Sequence, residues 1–272
     1  MKILIFLAVW RRPEITEICF MGLNRLKNAG FPVEFLAVIS EDSMKPLCKK
    51  YGVDYVEHEN LPIGRKKNFV LTEAFKRSWD YLIEIGSDDV LKNEVIDRYM
   101  NERKALMTIM NFCYVNSENG DCRRIESSTS YGIGRCFSRE SLEFAKGVEI
   151  LAKEDLISPG RSTAKGQKGF FPLKSAKQME AAGHAEIVSQ ECYKLWNDEL
   201  NRKLDNNSNF FINRNGVMEH RMKFEEPAAL DIKSQENIWA FNPDAGTPYD
   251  LKQALKGLSE EEKNAILSLN EH

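Results

Sequence analysis

The chain has 272 residues, of which 42% are hydrophobic and 29% are charged, a composition typical of a globular protein with a substantial core. Lysine and arginine total 38 against 41 aspartates and glutamates, and the formal net charge is −3. No broad basic field is therefore available for a nucleic-acid backbone, and sequence-specific binding to duplex DNA is not expected.

The N-terminal segment, MKILIFLAVWRRPE, combines one lysine with a short apolar run. No small-residue cleavage site follows, and the run is too short to span a bilayer, so we interpret it as a first buried strand and expect no transmembrane segment. The six cysteines follow neither CxxC nor zinc-finger spacing. We therefore expect the cysteines to be reduced thiols and the protein to be cytoplasmic.

The first 90 residues alternate between strand and helix patterns. Apolar runs predict strands at residues 3–9, 33–40, 53–57 and 81–85. Helical spacing between these runs predicts helices that begin near Pro13, Ser43 and Arg65. Strands joined by helices indicate a mostly parallel sheet with helices on both faces, which is a Rossmann-like α/β arrangement.

The second half has a different pattern. Residues 105–115 and 131–138 predict strands of hairpin type, with Asn119-Gly120 as turn residues. Residues 158–169 are rich in Gly, Ser and Lys without periodicity, which predicts a mobile loop that serves as a lid or a linker. Residues 190–205 show a broad apolar face and predict a helix.

Two adjacent carboxylates, Asp88 and Asp89, follow the fourth predicted strand. Carboxylates this close repel each other unless a cation, backbone N–H donors or water separates their charges. Ligands of such sheets bind beyond the carboxyl ends of the strands, and hard divalent cations take carboxylate oxygens together with substrate phosphates. Two interpretations follow: a metal site, or a turn in which an Asx cap starts a helix at Asn93.

Residues 61–91, LPIGRKKNFVLTEAFKRSWDYLIEIGSDDVL, resemble a segment of GT-A fold glycosyltransferases of the family-two type. In that segment a glycine-basic-asparagine helix start leads into a strand that ends in the aspartate, DXD-like motif. FLAVWRRPE at the first strand and YGIGRCFSRESLE after the hairpin region are similar to that family too, so the resemblance covers residues 1–145. The chain departs from the family at Gly86, where the motif usually has its first acid.

The resemblance implies a GT-A-like α/β fold and the transfer of a sugar from a nucleotide diphosphate sugar. Mn²⁺ or Mg²⁺ would bridge the diphosphate and the metal ligands Asp88 and Asp89, with His220 as a further ligand unless it is simply packed or on the surface. The residues expected to bind the nucleotide sugar are Trp10, Arg12, Glu41, Asp42, Arg65, Lys66, Lys67, Asn68 and Ser87, with a place in the core as the alternative for Trp10. The cations among them at the helix start suit a diphosphate, because helix N-termini favour anions.

An inverting transfer needs a general base to accept the proton of the acceptor hydroxyl. The segment LWNDELNRKLD is placed like the segment that carries this base in the family that the chain resembles. We therefore expect Asp198 to be the base, with Glu199 as the second candidate. The alternative is a solvated helix face on which Asp198 pairs with Arg202 at i, i+4. The predicted division is a nucleotide-sugar-binding part at 1–145, an acceptor and catalytic part at 146–225 and a C-terminal extension at 226–272, within one compact domain.

Three classes of function remain open. The first is a metal-dependent glycosyltransferase acting on a carbohydrate, lipid-linked or other hydroxyl acceptor, with a nucleic-acid acceptor also left open. The second is a sugar-phosphate nucleotidyltransferase, which is disfavoured because WRRPE stands where such enzymes have a long glycine-rich phosphate loop. The third is a non-catalytic binding or structural protein on the same fold.

Overall fold

The structure is a computed structural model that describes residues 1–127, 131–158, 161–196, 217–237 and 240–271. Its strands are β1 Ile3–Val9, β2 Val33–Ile39, β3 Asp54–Glu57, β4 Tyr81–Gly86, β5 Asp89–Leu91, β6 Leu106–Ile109, β7 Asn111–Asn116, β8 Cys122–Glu126, β9 Arg135–Ser138, β10 Lys146–Ala152, β11 Leu156–Ser158, β12 Arg161–Thr163, β13 Lys168–Pro172, β14 Ala185–Ile187, β15 Cys192–Tyr193, β16 Glu219–Met222, β17 Ala229–Lys233 and β18 Thr247–Pro248. Its α-helices are α1 Pro13–Asn28, α2 Lys45–Tyr51, α3 Ile63–Phe75, α4 Asn93–Glu102, α5 Arg139–Leu142, α6 Leu173–Ala181, α7 Leu251–Ala254 and α8 Glu260–Ser268.

The larger sheet has seven strands in the order β16-β6-β9-β4-β1-β2-β3. β1 pairs in parallel with both β2 and β4, and β9 is antiparallel to β4 and β6. Alternate residues of β4 enter different cores: Ile83 and Ile85 pack on the side of α1, and Leu82 packs on the side of α3. Burial on both faces explains the continuous apolar runs. The predicted α/β class, with a mostly parallel sheet flanked by helices, is confirmed.

A second sheet, which we call the smaller sheet, has five strands in the order β18-β8-β7-β17-β5. The described residues also form a four-stranded sheet of β10, β13, β14 and β15 and a two-stranded sheet of β11 and β12. β17 comes from the C-terminal part of the chain and pairs in parallel with β7 and antiparallel with β5. One face of this sheet packs against the C-terminal helices through residues such as Cys113, Leu230 and Ile266. The opposite face, which we call the inner face, packs against the larger sheet through Phe112 and Leu91.

The second half differs from the sequence prediction in two segments. The predicted helix over 190–205 is wrong in its described part, because residues 192–193 form β15, which pairs with β10. Tertiary contacts override the helical pattern there: the Tyr193 ring stacks on Phe75 at 3.5 Å, and Asn68 binds the backbone that follows. The predicted loop over 158–169 instead contributes β12 and the start of β13.

The predicted strand over 105–115 is two strands in two sheets. β6 belongs to the larger sheet and β7 to the smaller one, and they are separated at Met110, whose backbone N–H donates to the carbonyl of Met222. The turn between β7 and β8 contains Asn119 and Gly120, as predicted, with Gly120 at a φ of 75°. No helix within the described residues has the length and apolar character needed to cross a bilayer.

Candidate metal and nucleotide-sugar site

Three carboxylates meet at the carboxyl end of β4. Asp88 follows β4, Asp89 begins β5, and Asp231 lies in β17 in register with Asp89. One oxygen of each carboxylate lies within 4.8 Å of the other two. We call this group the carboxylate cluster. It lies where the two sheets adjoin, beyond the strand ends at which ligands of parallel sheets bind.

Gly86 is what allows the cluster to form. Its backbone N–H donates to Asp89 Oδ2 over 2.6 Å. A Cβ built at this position would lie 2.4 Å from Asp88 Oδ1 and 3.2 Å from Asp89 Oδ2. The acid that the family usually has at this position would therefore collide with the two aspartates in the arrangement seen here.

Arg12 reaches the cluster from the turn between β1 and α1. Its guanidinium lies 3.2 Å from Asp88 Oδ2 and 3.3 Å from Ser87 Oγ, and it also donates to Asn237 Oδ1. Asn237 in turn donates its side-chain amide to Asp88. Arg11 and Arg12 have φ values of 54° and 53°, a left-handed conformation that costs about 1–3 kcal/mol per non-glycine residue. The strained turn directs a cation to Asp88.

Lys233 is the second cation at the cluster, with its Nζ 2.7 Å from Asp231 Oδ2. Burial raises the pKa of Asp231 to about 7, although Lys233 opposes that shift. Burial, followed by the charges of Asp231 and Asp88, raises the pKa of Asp89 well above its usual value. Burial disfavours the ammonium of Lys233, but the Asp231 and Asp88 carboxylates more than offset this and raise its pKa.

The cluster fits a divalent cation. Its donors are hard carboxylate oxygens, the ligand type that Mg²⁺ and Mn²⁺ take. Asp231 Oδ1 is buried and accepts no hydrogen bond from any described residue, so one ligand atom is already desolvated and unpartnered. Among the described residues, the three carboxylates face two cations, Arg12 and Lys233, and the excess negative charge requires a proton or a further cation.

The predicted phosphate-binding lysines have partners within the protein. Lys66 is fully buried, and its Nζ donates to the Val9 carbonyl over 2.6 Å and to Asn60 Oδ1 over 3.2 Å. Burial lowers its pKa to about 7, partly offset by the charge of Glu41. Lys66 thus joins the end of β1 to the segment before α3, while Arg65 is exposed.

Lys67 and Asn68 point toward the other side of α3. Lys67 donates to Glu84 in β4, which also has Arg135 at 3.6 Å. Glu84 and Arg135 are almost completely buried, whereas the Lys67 side chain is 14% exposed. Asn68 donates to the carbonyl of Trp196 over 2.8 Å and accepts from its backbone N–H over 3.1 Å. These contacts hold the chain just before residue 197. A nucleotide-sugar role for either residue stays a prediction.

The other predicted nucleotide-binding residues lie at strand ends. Trp10 is half-buried directly after β1, with the Arg11 guanidinium 4.4 Å from its ring centroid. Glu41 and Asp42 follow β2, and exposed Asp42 pairs with Lys45 at 2.7 Å. Their positions at the carboxyl ends of β1 and β2 agree with the sequence expectation, and their roles stay predictions.

The remaining predicted residues lie apart from the cluster or outside the described structure. His220 is in β16 at one edge of the larger sheet, where its Nε2 lies beside the carboxylate of Glu102 in α4. It is not in the carboxylate cluster, which is the one group of metal-ligating side chains found within the described residues. The predicted bases Asp198 and Glu199 lie outside the described residues.

Sequence reasoning missed Asp231, Lys233 and Asn237. A signal was present in ALDIK, residues 229–233, where apolar and charged residues alternate as in a strand with one polar face. Nothing in that pattern reveals that the polar face would meet Asp88 and Asp89, because the pairing of β17 with β5 joins distant parts of the chain.

The chain matches no protein family model and no curated protein sequence. Several solved structures are similar in fold at low identity. The mannosyltransferase PcManGT from Pyrobaculum calidifontis, in complex with GDP-Man and Mn²⁺, has a TM-score of 0.40 at 10% identity, and the match covers 52% of this chain and 46% of that chain. The chain thus spans less than half of that enzyme.

Two further solved structures match most of this chain. S. aureus TarS 1-349, in complex with UDP-GlcNAc, has a TM-score of 0.46 at 14% identity, covering 99% of this chain and 71% of that chain. A CMP:2-keto-3-deoxy-manno-octonic acid synthetase complexed with CTP has a TM-score of 0.37 at 9% identity, covering 82% and 90%. The ligands of PcManGT and TarS in these structures, GDP-Man and UDP-GlcNAc, are both nucleotide sugars.

Proposed function

We propose that the chain is a glycosyltransferase that uses Mn²⁺ or Mg²⁺ to transfer a sugar from a nucleotide diphosphate sugar to a hydroxyl acceptor. The observation that carries this proposal is the carboxylate cluster of Asp88, Asp89 and Asp231 at the carboxyl end of β4. Its buried and unpartnered oxygen, Asp231 Oδ1, supports a cation ligand rather than a simple turn.

In this proposal Asp231 supplies the carboxylate that the family has at the position of Gly86. Asp88, Asp89 and Asp231 would hold the cation, and the cation when bound would neutralise charge on the diphosphate leaving group. Lys233 keeps one oxygen of Asp231 engaged, which leaves the other oxygen available. Asn237 fixes the orientation of Asp88 through its side-chain amide.

Arg12 would contact the diphosphate. Its guanidinium is beside Asp88, and the side chain keeps 15% of its surface exposed, so a phosphate placed at the cluster would lie within its reach. Guanidinium groups bind phosphate oxygens through paired, charge-assisted hydrogen bonds. The strained Arg11-Arg12 turn supports this role, because backbone strain is commonly kept at functional sites.

The general base stays a proposal from the sequence. Asp198, and next Glu199, would accept the acceptor proton in an inverting transfer. The Asn68 contacts to the backbone of Trp196 fix the chain immediately before these residues. Substituting Asn68 should therefore affect turnover more than donor affinity.

The short turn after β1 disfavours the nucleotidyltransferase alternative. β1 ends at Val9 and α1 begins at Pro13, so three residues separate strand and helix. A long glycine-rich loop that surrounds phosphates has no room there.

A thermal-shift panel of UDP-, GDP- and CMP-sugars with and without Mn²⁺ tests the proposal, because a ligand that binds only the folded state raises its stability. We expect at least one nucleotide diphosphate sugar to raise the melting temperature only when Mn²⁺ or Mg²⁺ is present. A response to CMP-sugars alone, or no response to any nucleotide sugar, would contradict the proposal.

A further inference from the structure

A row of side chains leads away from the carboxylate cluster along the inner face of the smaller sheet. Asp89 in β5 is in register with Asp231 in β17, Asp231 with Tyr114 in β7, and Tyr114 with Arg123 in β8. In-register residues on paired strands point to the same face, and neighbouring strands lie about 4.8 Å apart. Tyr114 and Arg123 are therefore about 5 Å and 10 Å from Asp231, measured along the sheet.

Burial changes along the inner face at this row. The next residues on the same face of these strands are Phe112, Ile125, Leu91 and Ala229, which are all buried in the core between the sheets. Tyr114 and Arg123 are only half-buried. The row therefore stands at the border where the packed core gives way to a solvent-accessible surface beside the cluster.

The cations of this region differ in whether they have partners. Arg12 is paired with Asp88, and Lys233 with Asp231. The Arg123 side chain has no hydrogen bond or ion pair with any residue that the structure describes, and neither does the Tyr114 hydroxyl. A half-buried guanidinium, with five N–H donors in a fixed geometry, is suited to bind an anion from outside the chain.

Tyr114 presents a fixed aromatic ring between this guanidinium and the cluster. The ring packs edge-on against Phe112 with centroids 5.2 Å apart, and Tyr131 also packs edge-on against Phe112, with centroids 5.0 Å apart. Lys233 Nζ lies 5.1 Å from the Tyr114 centroid. A pyranose has apolar C–H faces, and packing one on an aromatic ring removes apolar surface from water.

We propose that Tyr114 and Arg123 form a subsite for an anionic saccharide. Tyr114 takes the apolar face of the sugar ring, and Arg123 binds a carboxylate or phosphate carried by that sugar. The two strand spacings between Asp231 and Arg123, about 10 Å, accommodate one monosaccharide. This inference rests on the proposed function, since it places the sugar beside the cation that the cluster would hold; the anion belongs either to the donor sugar or to the acceptor.

Two sets of matched probes separate these sources. In the donor arm, UDP-glucuronic acid is compared with UDP-glucose, and GDP-mannuronic acid with GDP-mannose, by calorimetry in the presence of Mn²⁺. In the acceptor arm, methyl glucuronide and glucose 6-phosphate are compared with methyl glucoside by ligand-observed NMR, with and without nucleoside diphosphate. We expect the anionic member to bind roughly tenfold tighter in one arm, as one charge-assisted contact provides.

Three variants of the full chain assign the effect to its residues. Arg123→Gln should abolish the preference for the anionic member and leave the neutral member unchanged. Tyr114→Leu, which keeps an apolar side chain of similar burial, should weaken both members equally. Arg124→Gln is the matched control, because Arg124 lies on the opposite face of the same strand, where it contacts Glu126; it should bind like the wild type.

The inference is overturned if the wild type shows no anion preference in either arm, if Arg123→Gln keeps the preference, or if Arg124→Gln loses it equally. Failure of the proposed function gives a different result, namely the absence of metal-dependent nucleotide binding in the wild type. In that case an acceptor-arm preference that depends on Arg123 still supports the subsite.

Discussion

Replacing Asp231 with asparagine should flatten the pH dependence of stability in the metal-free protein. Burial raises the pKa of Asp231 from 3.8 to about 7, against the opposing charge of Lys233. Between these pH values the folded state holds a proton that the unfolded state has released, so the free energy of unfolding falls as pH rises from about 4 to about 7. At 1.36 kcal/mol per pKa unit, the interval corresponds to roughly 4 kcal/mol in total.

The substitution removes the titration of Asp231 and also shifts the titration of Asp89. Burial and the charge of Asp231 both raise the pKa of Asp89, so Asp89 titrates nearer its ordinary value once Asp231 is neutral. Lys233 loses its ion-pair partner, and leaving a buried charge unpaired lowers stability across the pH range. The informative quantity is therefore the difference between two pH values and not the absolute stability.

Urea denaturation at pH 5 and pH 8 in the presence of a chelator measures this difference. Between these pH values the wild type should lose about 2–3 kcal/mol more stability than Asp231→Asn. Asp97→Asn, which changes an exposed acid in α4, is the control and should follow the wild type. Equal pH dependence in wild type and Asp231→Asn would refute the electrostatic account of the cluster.

Three further predictions concern the residues around the cluster. Gly86→Ala should weaken Mn²⁺ binding, measured by electron paramagnetic resonance, by roughly tenfold or more, because its Cβ would lie 2.4 Å from Asp88 Oδ1; wild-type affinity would contradict this. Lys67→Met should lower the free energy of unfolding by about 3–5 kcal/mol, because it leaves buried Glu84 without its nearest cation. In chemical denaturation, adding Glu84→Gln to this variant should recover most of the loss. No recovery would mean that lost packing, and not the unpaired charge, causes the destabilisation. Arg11→Gly should raise the free energy of unfolding by about 1 kcal/mol by relieving a φ of 54°, and an unchanged value would show that the turn carries no strain.

The sequence was informative wherever burial alone decides the structure. The runs at 3–9 and 33–40 are apolar at almost every position because both faces of the central strands are covered. Asp88 and Asp89 could be placed at a site because they follow such a strand directly. Pro13 opens α1 as predicted, and its fixed φ suits the first helical position.

The sequence was uninformative where a contact joins distant segments. Asp231 completes the cluster through the pairing of β17 with β5, and local periodicity carries no information about which strands pair. Lys66 is predicted to bind a diphosphate because it is a cation at a helix start, where anions are favoured, yet its ammonium donates to the Val9 carbonyl at the end of β1. The apolar face over 190–205 predicts a helix, whereas in the described part of that segment the stacking of Tyr193 on Phe75 favours a strand.

Calorimetric titration of UDP and GDP in the presence of Mn²⁺ tests the central claim most directly. One of the two nucleotides should bind the wild type and the Asp97→Asn control only with the metal, while Asp88→Asn and Asp231→Asn should lose this metal-dependent binding and keep their circular dichroism spectra. Metal-dependent affinity that is unchanged in both Asp88→Asn and Asp231→Asn would contradict the assignment of the carboxylate cluster as the site of cation and diphosphate.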